Sequence, residues 1–167
     1  VCRNSALRGW SRSPVISFPG VTLTGAAPKT YFFDGSIGGY QEVTSGALSK
    51  LWIYPTMRRG GRAVYAFNAT NKPGTGANQP TLMWKFSSTD NANLGQTWST
   101  PVAIRVKIGG VTNTLVAFGA GYDNCEDGSA PACAGVTQGR GIFVMDAGSG
   151  KAANYRLFDP GSTAGRF

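Results

Sequence analysis

From Gly60 onward the sequence falls into short apolar runs that alternate with a period of two and are separated by turn residues, which is the pattern of strands. In Arg62–Phe67 the residues Ala63, Tyr65 and Phe67 share one face and Val64 and Ala66 the other. Both faces are apolar, so this strand is expected to lie between two layers. Thr81–Phe86 places Leu82, Trp84 and Phe86 on one side. Pro101–Ile108 has the cleanest alternation, sending Val102, Ile104, Val106 and Ile108 one way and Arg105 and Lys107 the other. Asn113–Gly119, Gly141–Asp146 and a weaker run, Asn154–Phe158, bring the count to six strands in about a hundred residues. No window repeats apolar residues at i, i+3, i+4 and i+7 for more than a turn or so, which leaves no helix to cover the strands. Sheets must then cover sheets, as in a sandwich, a barrel or radially stacked propeller blades.

An internal repeat favours the propeller. Gly61-Arg62-Ala63-Val64-Tyr65-Ala66-Phe67-Asn68-Ala69 aligns with Gly139-Arg140-Gly141-Ile142-Phe143-Val144-Met145-Asp146-Ala147. Each is a Gly-Arg-x-apolar strand that ends in Asn or Asp followed by Ala. The spacing is wider than the roughly 40 to 50 residues of common blades. Long loops at 68–80 and 121–138 account for the excess. Before residue 60 the pattern is weaker, with Thr30–Ser36 and Lys50–Tyr54 as the convincing strand candidates. The chain therefore reads as a single partial domain. Residues 1–60 form an irregular segment with one or two strands, part of a preceding blade, and residues 61–167 form propeller blades.

Composition sets the scale and narrows the chemistry. The 167 residues, 41% of them hydrophobic, suffice for one domain with a core. No basic-then-apolar leader opens the sequence and no run approaches the roughly 18 apolar residues of a membrane span, so a soluble mature form or a piece of a longer chain is expected. Sixteen basic residues against eight acidic give +8, a balance that suits an anionic surface, an acidic partner or nucleic acid. Arg58, Arg59 and Arg62 are the one close basic cluster, and with Gly60 and Gly61 inside it the cluster reads as a turn before a strand. The absence of histidine removes the commonest general base and zinc ligand, and with them any Ser-His-Asp or Cys-His site. No enzyme is expected, and no catalytic or cofactor-binding residue is assigned.

Cys125 and Cys133 bracket the loop Glu126–Ala132, and a disulfide between them is expected, which would need an oxidising compartment. Such a ring would contribute on the order of 2 to 3 kcal/mol. Cys2 is left over and fits a partner upstream. Asp123, Asn124, Glu126 and Asp127 offer oxygens to calcium, a hard ion that takes six to eight such ligands, against the plainer reading of a solvated, disulfide-pinned loop. Trp52, Trp84 and Trp98 could form a stacking platform, but their place in or beside strands points to packing. Asn68 opens an N-glycosylation sequon, yet at a strand end, opposite Asp146 in the repeat, it reads as a turn residue.

A family resemblance runs through these same residues. It begins with YFFDGS at 31–36 and continues with the stretch Met57–Thr70, which opens Met-Arg-Arg-Gly-Gly-Arg and closes Tyr-Ala-Phe-Asn-Ala-Thr. LMWKF at 82–86, LGQTWSTPV at 94–102, FGAGYD at 118–123 and GRGIFVMD at 139–146 follow in order. Together they resemble the C-terminal propeller of the PilY/PilC family of type IV pilus tip and biogenesis proteins, over roughly residues 30–151. The resemblance implies an exported protein at the cell surface or pilus tip, or associated with the outer membrane. It implies a role in pilus biogenesis and surface attachment, with pilins or minor pilins, a host or abiotic surface, and the remaining blades of a parent chain as partners. Members of that family can carry a calcium loop of alternating acidic positions; here Cys125 interrupts the series and the alternation is missing. The run Asp146–Lys151 (DAGSGK) also resembles quinoprotein dehydrogenase blades. The expected fold is thus all-β, a partial quinoprotein-like propeller of antiparallel blades with long loops. A quinone-dependent dehydrogenase fragment and a basic nucleic-acid-binding module are the alternatives, the second disfavoured by its scattered arginines.

Overall fold

The computed structural model describes residues 31–70, 79–123, 125, 138–151 and 156–158, all within the unit Tyr31–Phe167. These residues form two four-stranded antiparallel sheets. The first contains β1 (Ile37–Thr44), β2 (Ala47–Pro55), β3 (Ala63–Asn68) and β4 (Thr81–Ser87) in that order. The second contains β5 (Val102–Ile108), β6 (Val111–Gly119), β7 (Ile142–Asp146) and β8 (Arg156–Phe158), again in sequence order. Each sheet is a meander of hairpins. Among the described residues there is no α-helix, only a 3-10 turn at Arg58–Gly60, and neither sheet closes into a barrel or ring.

Turn chemistry fixes two of the hairpins. Ser45 and Gly46 join β1 to β2 with φ of 52° and 77°, and Gly109 and Gly110 join β5 to β6 with φ of 57° and 85°. Two consecutive left-handed residues match the right-handed twist of the flanking strands, and glycine reaches that conformation without a Cβ clash.

The sheets pack through one core. Tyr54, Val64, Ala66, Trp84 and Phe86 from the first sheet meet Val116, Phe118, Phe143, Met145 and Ala147 from the second. Phe86 stands edge-on to Phe118 and Phe143 at centroid distances of 6.2 and 5.1 Å, the geometry that aromatic quadrupoles favour. The Tyr54 hydroxyl and the Trp84 indole N–H both donate to the carbonyl of Ala147, at 3.2 and 3.1 Å. Two buried donors of one sheet are thereby satisfied by the other.

The internal repeat coincides with equivalent elements, since β3 and β7 are the third strands of their sheets. Both strands end in the same turn. Asn68 Oδ1 accepts from the Thr70 amide and hydroxyl, and Asp146 Oδ1 accepts from the Gly148 and Ser149 amides and the Ser149 hydroxyl. Asn68 is thus a turn residue, as its place in the repeat suggests. Strand β3 has the expected two apolar faces, with Val64 and Ala66 fully buried and Tyr65 and Phe67 half-buried on the other side.

Three details depart from the sequence reading. Tyr31–Ser36 is irregular and the strand begins at Ile37, so the expected strand at 30–36 is displaced; Thr30 lies outside the described residues. Leu82 does not share the face of Trp84 and Phe86. The register of β3 against β4 shifts between Ala66 and Phe67, leaving Met83 as the extra residue of a bulge, and this turns Leu82 outward, 57% exposed. The first sheet also runs across residue 60, because β2 pairs with β3.

Candidate functional site

Beyond the core, the surface has two features that bear on function: the outward faces of the sheets and a cluster of cations and rings beside Trp98. The outward faces are apolar. Leu51, Ile53, Tyr65 and Phe67 are half-buried on the first sheet, with Ile37 and Leu82 exposed beside them. On the second sheet Val102, Ile104, Ile108, Val111 and Ile142 are exposed. The register explains the second case. Ala103 pairs with Val116 on the core side, so Val102, Ile104, Val106 and Ile108 must point away from it. A strand with one wet face would turn those residues inward, but β5 does the reverse.

The cation cluster is built on a pinned turn. Thr97, buried, accepts the Met57 amide at its Oγ1 at 3.0 Å and donates from the same oxygen to the Ala63 carbonyl at 2.9 Å. The Thr97 carbonyl accepts the Arg58 amide, and the Met57 carbonyl accepts the Gly60 amide. This network holds Arg58 at φ 51°, left-handed for a residue with a side chain. Gly60 closes against the carbonyl of Phe32, where a Cβ would overlap it. The guanidinium of Arg58 lies 4.1 Å from the Trp98 ring centroid, and that of Arg59 lies 5.7 Å from Trp98 and 5.8 Å from Tyr31. Tyr122 meets Trp98 edge-on at 6.3 Å, and Gln96 Oε1 accepts the Trp98 indole N–H at 3.3 Å.

The sequence cluster of three arginines is split by this geometry. Arg62 is absorbed into the fold, its Nε donating to the Leu94 carbonyl at 2.7 Å and a terminal nitrogen to that of Ala92 at 2.9 Å. Arg58 and Arg59 are exposed and stack only on rings, with no carboxylate at ion-pair distance among the described residues. Sequence reasoning assigned all three to a turn, and Trp98 stood too far along the chain to be joined to them. The tryptophans do pack, each differently. Trp84 is core, Trp52 lies against Tyr40 at 5.4 Å under the Lys50 ammonium, and Trp98 carries the arginines.

Of the proposed calcium ligands, Asp123 alone is described. It follows the bridge between Gln96 and Tyr122 and is buried. Its Oδ1 accepts the Cys125 amide at 3.1 Å, while its Oδ2 is buried with no hydrogen-bond partner. Asn124, Glu126 and Asp127 lie outside the described residues, and the described ones hold no group of three acidic, cysteine or histidine side chains. Cys125 is disulfide-bonded; its expected partner, Cys133, lies outside the described residues. No described helix is long and apolar enough to cross a membrane.

No protein-family model and no curated protein matches this chain. Among solved structures, the crystal structure of the Pseudomonas aeruginosa PilY1 C-terminal domain matches with a TM-score of 0.51 at 21% sequence identity. The match covers 78% of this chain and 22% of that one, so the chain spans less than a quarter of that domain's length. At this identity the likeness is one of fold alone.

Proposed function

We propose that this chain is a pair of propeller blades of a PilY/PilC-like, type IV pilus-associated protein and that it acts without catalysis in pilus biogenesis and surface attachment. The observation that carries the reading is the pair of outward apolar faces on two consecutive meanders. Contiguous apolar surface of this kind marks an interaction face. Radially repeated four-stranded sheets present such a face on either side to their neighbours. The ordered sequence motifs and the fold likeness to PilY1 point the same way. The bonded state of Cys125 suits an exported protein in an oxidising compartment.

On this reading the outward faces receive further blades of the parent chain, and the loops meet pilins or minor pilins and the surface to be colonised. The orphaned, buried Oδ2 of Asp123 is the one described atom that suits calcium in the adjoining loop. The test is deletion and complementation of the gene in its own bacterium, counting surface pili by electron microscopy and retained cells on an abiotic surface. Deletion is expected to reduce both. Unchanged piliation and attachment, together with dye reduction by the parent protein in the presence of a quinone, would replace this reading with the dehydrogenase alternative.

A further inference from the structure

We propose that the Arg58–Arg59 turn, seated on Trp98, is a binding site for the carboxylate or sulfate groups of an acidic polysaccharide. The geometry of the turn carries this assignment independently of the family reading. Two guanidiniums gather around one indole, at 4.1 and 5.7 Å from its centroid. Like charges brought together repel, and no described carboxylate neutralises them. Each guanidinium has five N–H donors in a planar fork, and stacking on a ring leaves that fork free to meet a carboxylate or sulfate edge-on.

Arg62 behaves otherwise. That side chain donates to two carbonyls and serves the fold, whereas the guanidiniums of Arg58 and Arg59 donate to no acceptor among the described residues. Yet their position is firmly set. The Thr97 network and the left-handed Arg58 hold the turn in one conformation. Strained residues over-determined by their surroundings are a feature of ligand clamps.

The shape of the patch selects the ligand. Binding single-stranded nucleic acid takes open ring faces for bases and a basic groove along the backbone. Here Arg58 lies over the Trp98 ring, and among the described residues two guanidiniums gather at that ring. An acidic polysaccharide brings carboxylate or sulfate groups at regular intervals together with C–H faces that pack on aromatic rings. The segment closing on Gly60 carries Tyr31, whose ring lies under Arg59, and next to it in sequence Phe32, 70% exposed.

The 167-residue chain would be titrated calorimetrically with polygalacturonate, dextran sulfate, neutral dextran, polyglutamate and single-stranded DNA, with far-UV dichroism confirming the fold of every variant. Saturable binding of polygalacturonate or dextran sulfate but not dextran is expected. It should weaken at least about tenfold in Arg58→Gln/Arg59→Gln. Lys107→Gln/Lys151→Gln, an equal loss of charge at exposed sites elsewhere, should leave it unchanged. Should the glutamine pair fail to fold, Arg58→Lys/Arg59→Lys keeps the charge and removes the forks, and a severalfold loss is still expected. Equal loss in the Lys107/Lys151 control, or no binding to either acidic sugar, would overturn the site. Tighter binding of polyglutamate or DNA would overturn the saccharide assignment. A piliation defect in the deletion strain alongside absent binding would sink this site and leave the pilus reading standing.

Discussion

The carbonyl of Ala147 is where single residues tie the sheets together, because Tyr54 and Trp84 both donate to it from the opposite layer. Removing one donor leaves the acceptor satisfied by the other. Tyr54→Phe is therefore expected to cost only about 1 kcal/mol in denaturant melts. Burial, then Asp146, then Tyr40 push the Tyr54 hydroxyl well above its ordinary range. In the unfolded chain the same hydroxyl ionises near pH 10. The folded state thus holds the proton longer, and stability is complete below about pH 10 and falls as pH rises beyond it. Alkaline melts should show that decline in the native chain and a shallower one in Tyr54→Phe. Glycines offer a second residue-scale test. Gly109 and Gly150 have nearly equal φ, 57° and 56°, but a Cβ meets nothing at Gly109 and overlaps the Trp84 ring at Gly150. Gly109→Ala should cost about 1 to 2 kcal/mol from conformation alone. Gly150→Ala should lose about 1 to 3 kcal/mol more in the same melts through overpacking.

At the scale of elements, what could be read from the sequence was what local pattern controls. Strands β3 and β7 were legible because each is apolar on both faces and punctuated by Gly-Arg before and Asn or Asp after. Strand β1 was not, since Gly38 and Gly39 have little preference for extended structure and Gly38 is present because the Pro101 carbonyl closes on it. The bulge at Met83 and the outward turn of Leu82 are consequences of pairing, which no single strand encodes. The same holds for β5, whose alternation is plain but whose direction depends on the register with β6. The basic cluster was visible, but its division between Arg62 and the Trp98 pair required the fold. The two faces of the second sheet make an experiment. Ile104→Thr with Ile142→Thr, both outward, should shift stability by no more than about 0.5 kcal/mol each in denaturant melts. Val116→Thr, inward and fully buried, should cost about 1 to 3 kcal/mol by placing a hydroxyl in the core.

For the whole molecule, calcium is the external variable to test. After chelator treatment and at about neutral pH, calorimetric titration of calcium into the oxidised chain is expected to show saturable binding and a raised Tm, both lost in Asp123→Asn. Flat titration curves would leave Asp123 a turn residue that caps the Cys125 amide. The core between the sheets is closed, but the described residues leave two unlike apolar faces: mixed aromatic and aliphatic on the first sheet, wholly β-branched on the second. Unlike faces cannot mate by a two-fold axis. Contact between them is heterologous, one unit's tail against the next unit's head, and such contacts either close when the rotation per step divides a full circle or grow without limit. On the proposed reading the next unit is a further blade of the same parent chain, and the rotation from one blade to the next decides whether the circle closes.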